Sequence, residues 1–291
     1  MLLGSIEAGG TKFIAAVGDE EMNIIDMVTV PTTKPEETMK PIITFFDQYK
    51  IDAVGVGSFG PIDVNEGSET YGSITSTPKP FWKDYDFVGG LKEHYNVPIA
   101  WTTDVNAAGY AEYVLGKAKE TRSCLYLTIG TGIGGGFINQ GRILNAYSHP
   151  EMGHLLIKRH PDDTFEGNCP FHQNCLEGMA SGPAVEKRWG KRGIELAGRS
   201  DVWELEAYYL AQALVSYTLV LRPERIILGG GMMKQKQIFH LIREQFERML
   251  KDYVAVPDLE SYIQPVGLND QAGIIGGFLL AKNLCVKQRN L

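Results

Sequence analysis

Two stretches of this chain open in the same way. GSIEAGG followed by TKFIAAVG, from Gly4 to Gly18, and SCLYLTIG followed by TGIGGG and FINQG, from Ser123 to Gly141, each run an apolar strand into a glycine turn and back out along a second apolar strand. They lie about 120 residues apart, so the pattern reads as an internal duplication. Each half then continues with alternating strands and helices, which predicts two similar α/β domains around a cleft, a common place for a small ligand.

In the first half Leu2 to Glu7, Lys12 to Val17 and Ile24 to Val30 predict three antiparallel strands. PEETMKPIITFFDQY from Pro35 predicts a helix that Pro41 breaks or delays, and IDAVGVG predicts the next strand. FVGGLKEHY, VPIAWTTD and VNAAGYAEYVLG then read as helix, strand and helix, with the domain boundary near Gly116 to Arg122. The second half offers a long helix near Trp203 to Leu221, the strand ERIILGG, and helices around Gln237 to Leu250 and Gln271 to Leu280. The glycines of that last helix, Gly273, Gly276 and Gly277, suit close packing on another backbone.

Charge narrows the partners. Twenty-eight basic against thirty-five acidic residues give a formal charge of −7, which offers no attraction to nucleic acid or an anionic membrane surface. MLLGSIEAGG lacks a basic start and an apolar core, so no secretory signal is expected, and the uncharged run Ala207 to Leu221 is shorter than the roughly 18 residues a membrane span needs. Four cysteines in 291 residues are no disulfide framework, which suits the cytoplasm.

Three groups of residues carry chemistry. The turns EAGGTK and GTGIGGG can aim backbone N–H groups at an anion, with Thr11, Lys12 and Thr131 beside them. Either alone is explained by an ordinary hairpin turn, and neither is a Walker sequence; together they suit one triphosphate. IILGGGM brings a strand straight into three glycines, where an adenosine ring could approach. In TTDVNAAG, Asp104 follows the strand VPIAW and opens a helix; the plain reading is an N-cap, and the chemical one is a base for a hydroxyl group. Finally Cys169, His172 and Cys175 in CPFHQNC supply three nitrogen and sulfur ligands at zinc spacing. The fourth could come from His149, His154 or His160, and a Cys169 to Cys175 disulfide is the rival account.

GSIEAGGTK, TDVNAAG, GTGIGGG, EMGH and CPFHQNCLEGMASGPA together resemble the ROK family of sugar kinases and repressors, most of all its zinc-containing bacterial fructokinases, across essentially the whole chain. The resemblance implies an actin-like, hexokinase-like fold of two ribonuclease H-like domains, assembled as a homodimer. Residues 1–117 would form a smaller α/β domain with the catalytic aspartate, and 118–270 a larger one with the zinc loop at about 149–182 and the nucleotide site. Residues 271–291 would pack back on the first. Asp104 would be the general base. Gly60, Thr103, Glu151, His154 and Glu177 would join it around the sugar. Thr11, Lys12, Thr131 and Gly132 would line the phosphates of ATP, with Pro223, Gly230, Gly231, Gln271 and Gly273 near the nucleoside. His154 is the fourth ligand the family motif selects, giving a closed, structural Zn²⁺, and Mg²⁺ would accompany ATP.

Two positions depart from the family pattern. Thr103 stands where many of its glucokinases carry Asn, which favours fructose over glucose and leaves mannose open. Glu7 stands where the wider superfamily has Asp, and its role is unassigned. A repressor would need a DNA-reading segment ahead of the first strand, and a zinc hydrolase would need an open ligand position. A sugar sensor without catalysis would not need Asp104 and both glycine turns.

Overall fold

The computed structural model describes residues 1–289. In chain order the elements are β1 (Leu2–Ala8), β2 (Lys12–Asp19), β3 (Ile24–Pro31), α1 (Pro35–Phe46), β4 (Ala53–Ser58), β5 (Ser73–Ile74), β6 (Tyr85–Asp86), α2 (Phe87–Lys92), β7 (Ile99–Thr103) and α3 (Asp104–Val114). The second half follows with β8 (Ser123–Ile129), β9 (Ile133–Asn139), β10 (Arg142–Ile143), α4 (Leu176–Ala180), α5 (Gly182–Trp189), α6 (Ser200–Leu221), β11 (Arg225–Gly229), α7 (Ile238–Leu250), α8 (Leu259–Tyr262), β12 (Ile263–Pro265) and α9 (Ala272–Arg289).

The duplication is visible in the sheets. One has the order β3-β2-β1-β4-β7 and the other β10-β9-β8-β11-β12. In both, a central strand pairs antiparallel with the strand after the glycine turn and parallel with the next strand of the half. Among the described residues, 1–111, 143–149 and 270–289 form one compact unit, and 112–142 with 150–269 form the other. The change of unit falls at Ala111/Glu112, ahead of the Gly116 to Arg122 stretch, and 143–149 returns to the first unit.

Pro41 does not interrupt α1, which runs unbroken through it. The lost backbone bond lies on the water side, where Pro41 and Glu37 are exposed, while Thr38, Met39, Ile42, Phe45 and Phe46 bury the opposite face.

In the first unit α9 lies directly on β4 and α3. A Cβ on Gly55 would sit 2.0 Å from the Gly277 carbonyl oxygen, and one on Gly276 would sit 2.0 Å from that of Ala107. Both obstacles are backbone and cannot swing aside. Gly55→Ala is therefore expected to destabilise the protein by about 1–3 kcal/mol, read as a lower urea midpoint at unchanged slope.

In the second unit α6 and α7 pack on the sheet through buried Trp203, Leu210, Leu214, Ile242 and Phe246. The inserted segment ahead of α4 is fastened to this core by Arg188 of α5. Its Nη1 meets Glu206 Oε1 at 3.1 Å and its Nη2 meets Asp163 Oδ2 at 3.2 Å, while Nη2 also donates to the Met179 carbonyl. Burial pushes the Glu206 carboxyl up to about 8 against the pull of Arg188.

Candidate functional site

In the first unit the parallel register sets Ala8 beside Ser58 and Ser58 beside Thr103. Three strand ends therefore line one edge of the sheet and bring Glu7, Gly60 and Asp104 to it. The carboxyl ends of adjacent parallel strands are where open α/β sheets take ligands. The turn from β1 to β2 lies at the same edge; it is closed by the Gly9 N–H donating to the Lys12 carbonyl at 3.1 Å, and it leaves Gly10, Thr11 and Lys12 exposed. Gln271 is exposed just ahead of α9, and a Cβ on Gly273 would fall 2.4 Å from Glu7 Oε2, so the first turn of α9 closes over Glu7.

Asp104 is the first residue of α3, and it is not the cap. Thr103 Oγ1 accepts from the Asn106 N–H at 3.2 Å, the bond an N-cap side chain makes. The plain reading of Asp104 therefore passes to its neighbour: a strand-end hydroxyl reaches the N3 amide, whereas Asp104 is already inside the helix. Asp104 Oδ1 accepts the adjacent Val105 N–H at 2.8 Å. Glu7, by contrast, is largely enclosed, and burial pushes its carboxyl up while Lys12 opposes and Asp270 adds to the rise.

In the second unit Gly229 pairs with Thr128, so β8 and β11 end together and place Thr131, Gly132, Gly230 and Gly231 at the equivalent edge. Gly230 has φ +91°, a left-handed conformation that a side chain would strain. Pro223 is not brought there. It is buried ahead of the other end of β11, a five-residue strand or roughly 17 Å away, so it cannot share a contact with Gly230.

The metal-like cluster is assembled. His154, Cys169, His172 and Cys175 present four ligand atoms that all lie within 4.8 Å of one another. Cys169 Sγ is 3.7 Å from His154 Nδ1 and 3.8 Å from His172 Nδ1, and Cys175 Sγ is 3.6 Å from His154 Nδ1. A tetrahedral zinc, with bonds of about 2.3 Å to sulfur and about 2.0–2.1 Å to nitrogen, spaces those ligands about 3.6 Å apart, so the residues fit the ion. Burial pushes the Cys175 thiol up to about 11, and a thiolate there calls for a cation.

The two other histidines are engaged elsewhere. His149 Nε2 accepts the Ile62 N–H at 3.0 Å in the first unit, and His160 Nδ1 accepts the Asp162 N–H at 3.2 Å. Cys169 and Cys175 are free thiols, so no disulfide joins them.

Glu151 and Glu177 lie near the cluster and close enough to interact. Glu151 is exposed at the surface, yet the protein packed around it displaces enough water to raise its carboxyl, and the charge of Glu177 adds to the rise. Glu177 Oε2 accepts the Ile133 N–H at 2.9 Å, which ties α4 to the second glycine turn. That bond was not legible in sequence, nor was the clamp on Arg188; the glycine within EMGH is the one local sign that something packs closely there.

Residues 3–284 match the ROK family. The chain is 50% identical over 282 residues to the fructokinase of Pediococcus pentosaceus, covering 97% of this chain and 98% of that one. It is 48% identical over 288 residues to the fructokinase of Lactococcus lactis subsp. cremoris, with 98% of each covered. The crystal structure of a ROK hexokinase from Thermus thermophilus superposes with a TM-score of 0.82 at 28% identity, covering 99% of this chain and 100% of that one. With a duplicated strand order, a glycine turn at each sheet edge and a match that spans nearly every residue, the chain belongs to the ROK family.

Proposed function

We propose that this protein is an ATP-dependent sugar kinase that phosphorylates a free hexose, with fructose as the preferred acceptor and fructose 6-phosphate as the product. The observation that carries the reading is Asp104, held at a sheet edge beside a glycine turn with its capping duty taken by Thr103. The fructokinases at 48–50% identity support the choice of sugar.

The two units would act as lobes on one cleft, with 1–111, 143–149 and 270–289 on one side and 112–142 and 150–269 on the other. Asp104 would take the proton of the sugar hydroxyl as its oxygen attacks the γ-phosphorus of ATP. Phosphoryl transfer needs in-line placement, neutralised charge and this base, and little covalent chemistry from the protein. Thr11, Lys12, Thr131 and Gly132 would hold the phosphates. Gly230, Gly231, Gln271 and Gly273 would flank the nucleoside, and Pro223 is dropped from that set. Gly60, Thr103, Glu151, His154 and Glu177 would bound the sugar. Mg²⁺ would arrive with ATP and neutralise the phosphates.

His154, Cys169, His172 and Cys175 would hold Zn²⁺ as a closed site, leaving no position for a reacting water. The protein would work as a homodimer, about twice 32.2 kDa by light scattering.

A coupled assay for ADP with Mg-ATP and fructose, mannose or glucose tests the reading. The highest kcat/KM is expected on fructose, and no turnover on any hexose would leave a sugar sensor as the better account. Among the described residues no helix is long and apolar enough to cross a membrane.

A further inference from the structure

The second glycine turn is gripped by the metal-bearing segment at three points. The Ile133 N–H, at the start of β9, donates to Glu177 Oε2 at 2.9 Å. The Gly130 carbonyl, at the other side of the turn, accepts the Gly182 N–H at 2.8 Å. Gly153 lies against the Ile133 carbonyl so tightly that a Cβ there would stand 1.7 Å from its oxygen. Two of the three grips are a short step along the chain from a metal ligand. Gly153 adjoins His154, and Glu177 is two residues past Cys175.

What aims Glu177 is α4, a helix of five residues. A helix so short does not hold itself together and takes its direction from its ends. At its start Cys175 Sγ accepts the Gly178 N–H at 3.4 Å as the N-cap, and the Leu176 N–H donates to the Leu155 carbonyl, one residue past His154. An ion on Cys175 and His154 would therefore fix the end of α4 from which Glu177 projects. Whatever Glu177 offers a sugar, its negative charge beside a turn that is to cradle phosphates opposes the phosphate ligand. Glu177 Oε2 is also so near the turn that a Cβ on Gly132 would meet it at 2.7 Å. A group that repels the ligand is tolerated there if it builds the shape the ligand needs.

We propose that Glu177 is a positioning residue that carries the order of the four-ligand centre to the turn Gly130–Gly132, so that nucleotide affinity depends on the bound metal as well as sugar affinity. This rests on the reading of that turn as a phosphate site.

The test follows single amides by NMR exchange in protein labelled with ¹⁵N-isoleucine, with ADP binding by titration calorimetry alongside. In the zinc-loaded protein the Ile133 amide should exchange slowly. Chelation should speed it at least about tenfold and weaken ADP by a similar factor, the lower end of what loss of an outer-shell partner costs. Ile138, paired inside β9, reports whether the fold survives. Should chelation unfold the unit, Glu177→Ala with zinc retained decides: Ile133 should be fast, Ile138 slow and ADP weakened, whereas Glu177→Gln keeps an acceptor oxygen and should keep Ile133 slow. An Ile133 amide indifferent to Glu177→Ala, or ADP affinity unchanged while Ile133 is released, overturns the proposal. If zinc-loaded protein with a slow Ile133 binds no ADP, it is the kinase reading that fails.

Discussion

Asp104→Asn should lower kcat on fructose by about 10²–10⁴-fold, the usual worth of a positioned general base. An amide cannot take the hydroxyl proton, yet its oxygen can still accept the Val105 N–H that Asp104 Oδ1 accepts at 2.8 Å, so the side chain keeps its place. Sugar affinity should change only a few-fold, and kcat and kcat/KM should fall together, as when an interaction made in the transition state is lost. Stability separates this from a structural role. Because Thr103 and not Asp104 caps α3, Asp104→Asn should leave the melting temperature nearly unchanged. Coupled kinetics, sugar titration and a melting curve on the same preparation check all three. A variant with near-normal kcat would take Asp104 out of the base role.

The second large effect is expected at the four-ligand centre. The purified protein should hold about one zinc per chain by elemental analysis, the count four protein ligands allow. Cys169→Ser should lose most of it, since a serine hydroxyl at neutral pH is a poor substitute for a thiolate. The loss removes a crosslink between His154 and the Cys169–Cys175 segment, with Cys169 and Cys175 both buried. The melting temperature should fall by more than about 5 °C, given that each kcal/mol moves a domain of this size by about 2–4 °C. Fructose affinity should fall with it, because Glu151 lies three residues before His154 and Glu177 two after Cys175. Chelation of the wild-type protein should reproduce both losses, and returning zinc should reverse them. A zinc-free variant with unchanged melting and kinetics would refute a structural role for the ion.

Much of this was written in local pattern. The apolar runs on either side of EAGGT and GTGIGG predict β1 with β2 and β8 with β9, and the structure forms each pair antiparallel. Such hairpins are decided by neighbours in sequence, which is why they could be read. The helix through Pro41 was misread because the pattern shows the missing N–H but not that its orphaned partner faces water. Short elements fared worst. β10, β12, α4 and α8 have two to five residues each and no period long enough to detect.

The cluster shows the same limit. Spacing alone placed Cys169, His172 and Cys175 together, since all three lie on one tight loop, but it left three histidines open for the fourth position. His154 was picked by resemblance, and the fold explains why: His149 is held by Ile62 in the other unit, while the Leu156 bridge to Cys175 brings His154 alongside.

The residue types, their periods and the two glycine turns were enough to determine a duplicated α/β chain with a base candidate and a metal-binding loop, because each depends on contacts a few residues apart. Which hydroxyl caps α3, which histidine completes the cluster and what holds the second turn depend on groups brought together from distant parts of the chain. Those were decided only when packing set strand ends in register and pressed α4 against Ile133, since long-range approach leaves no periodic trace in the order of residues.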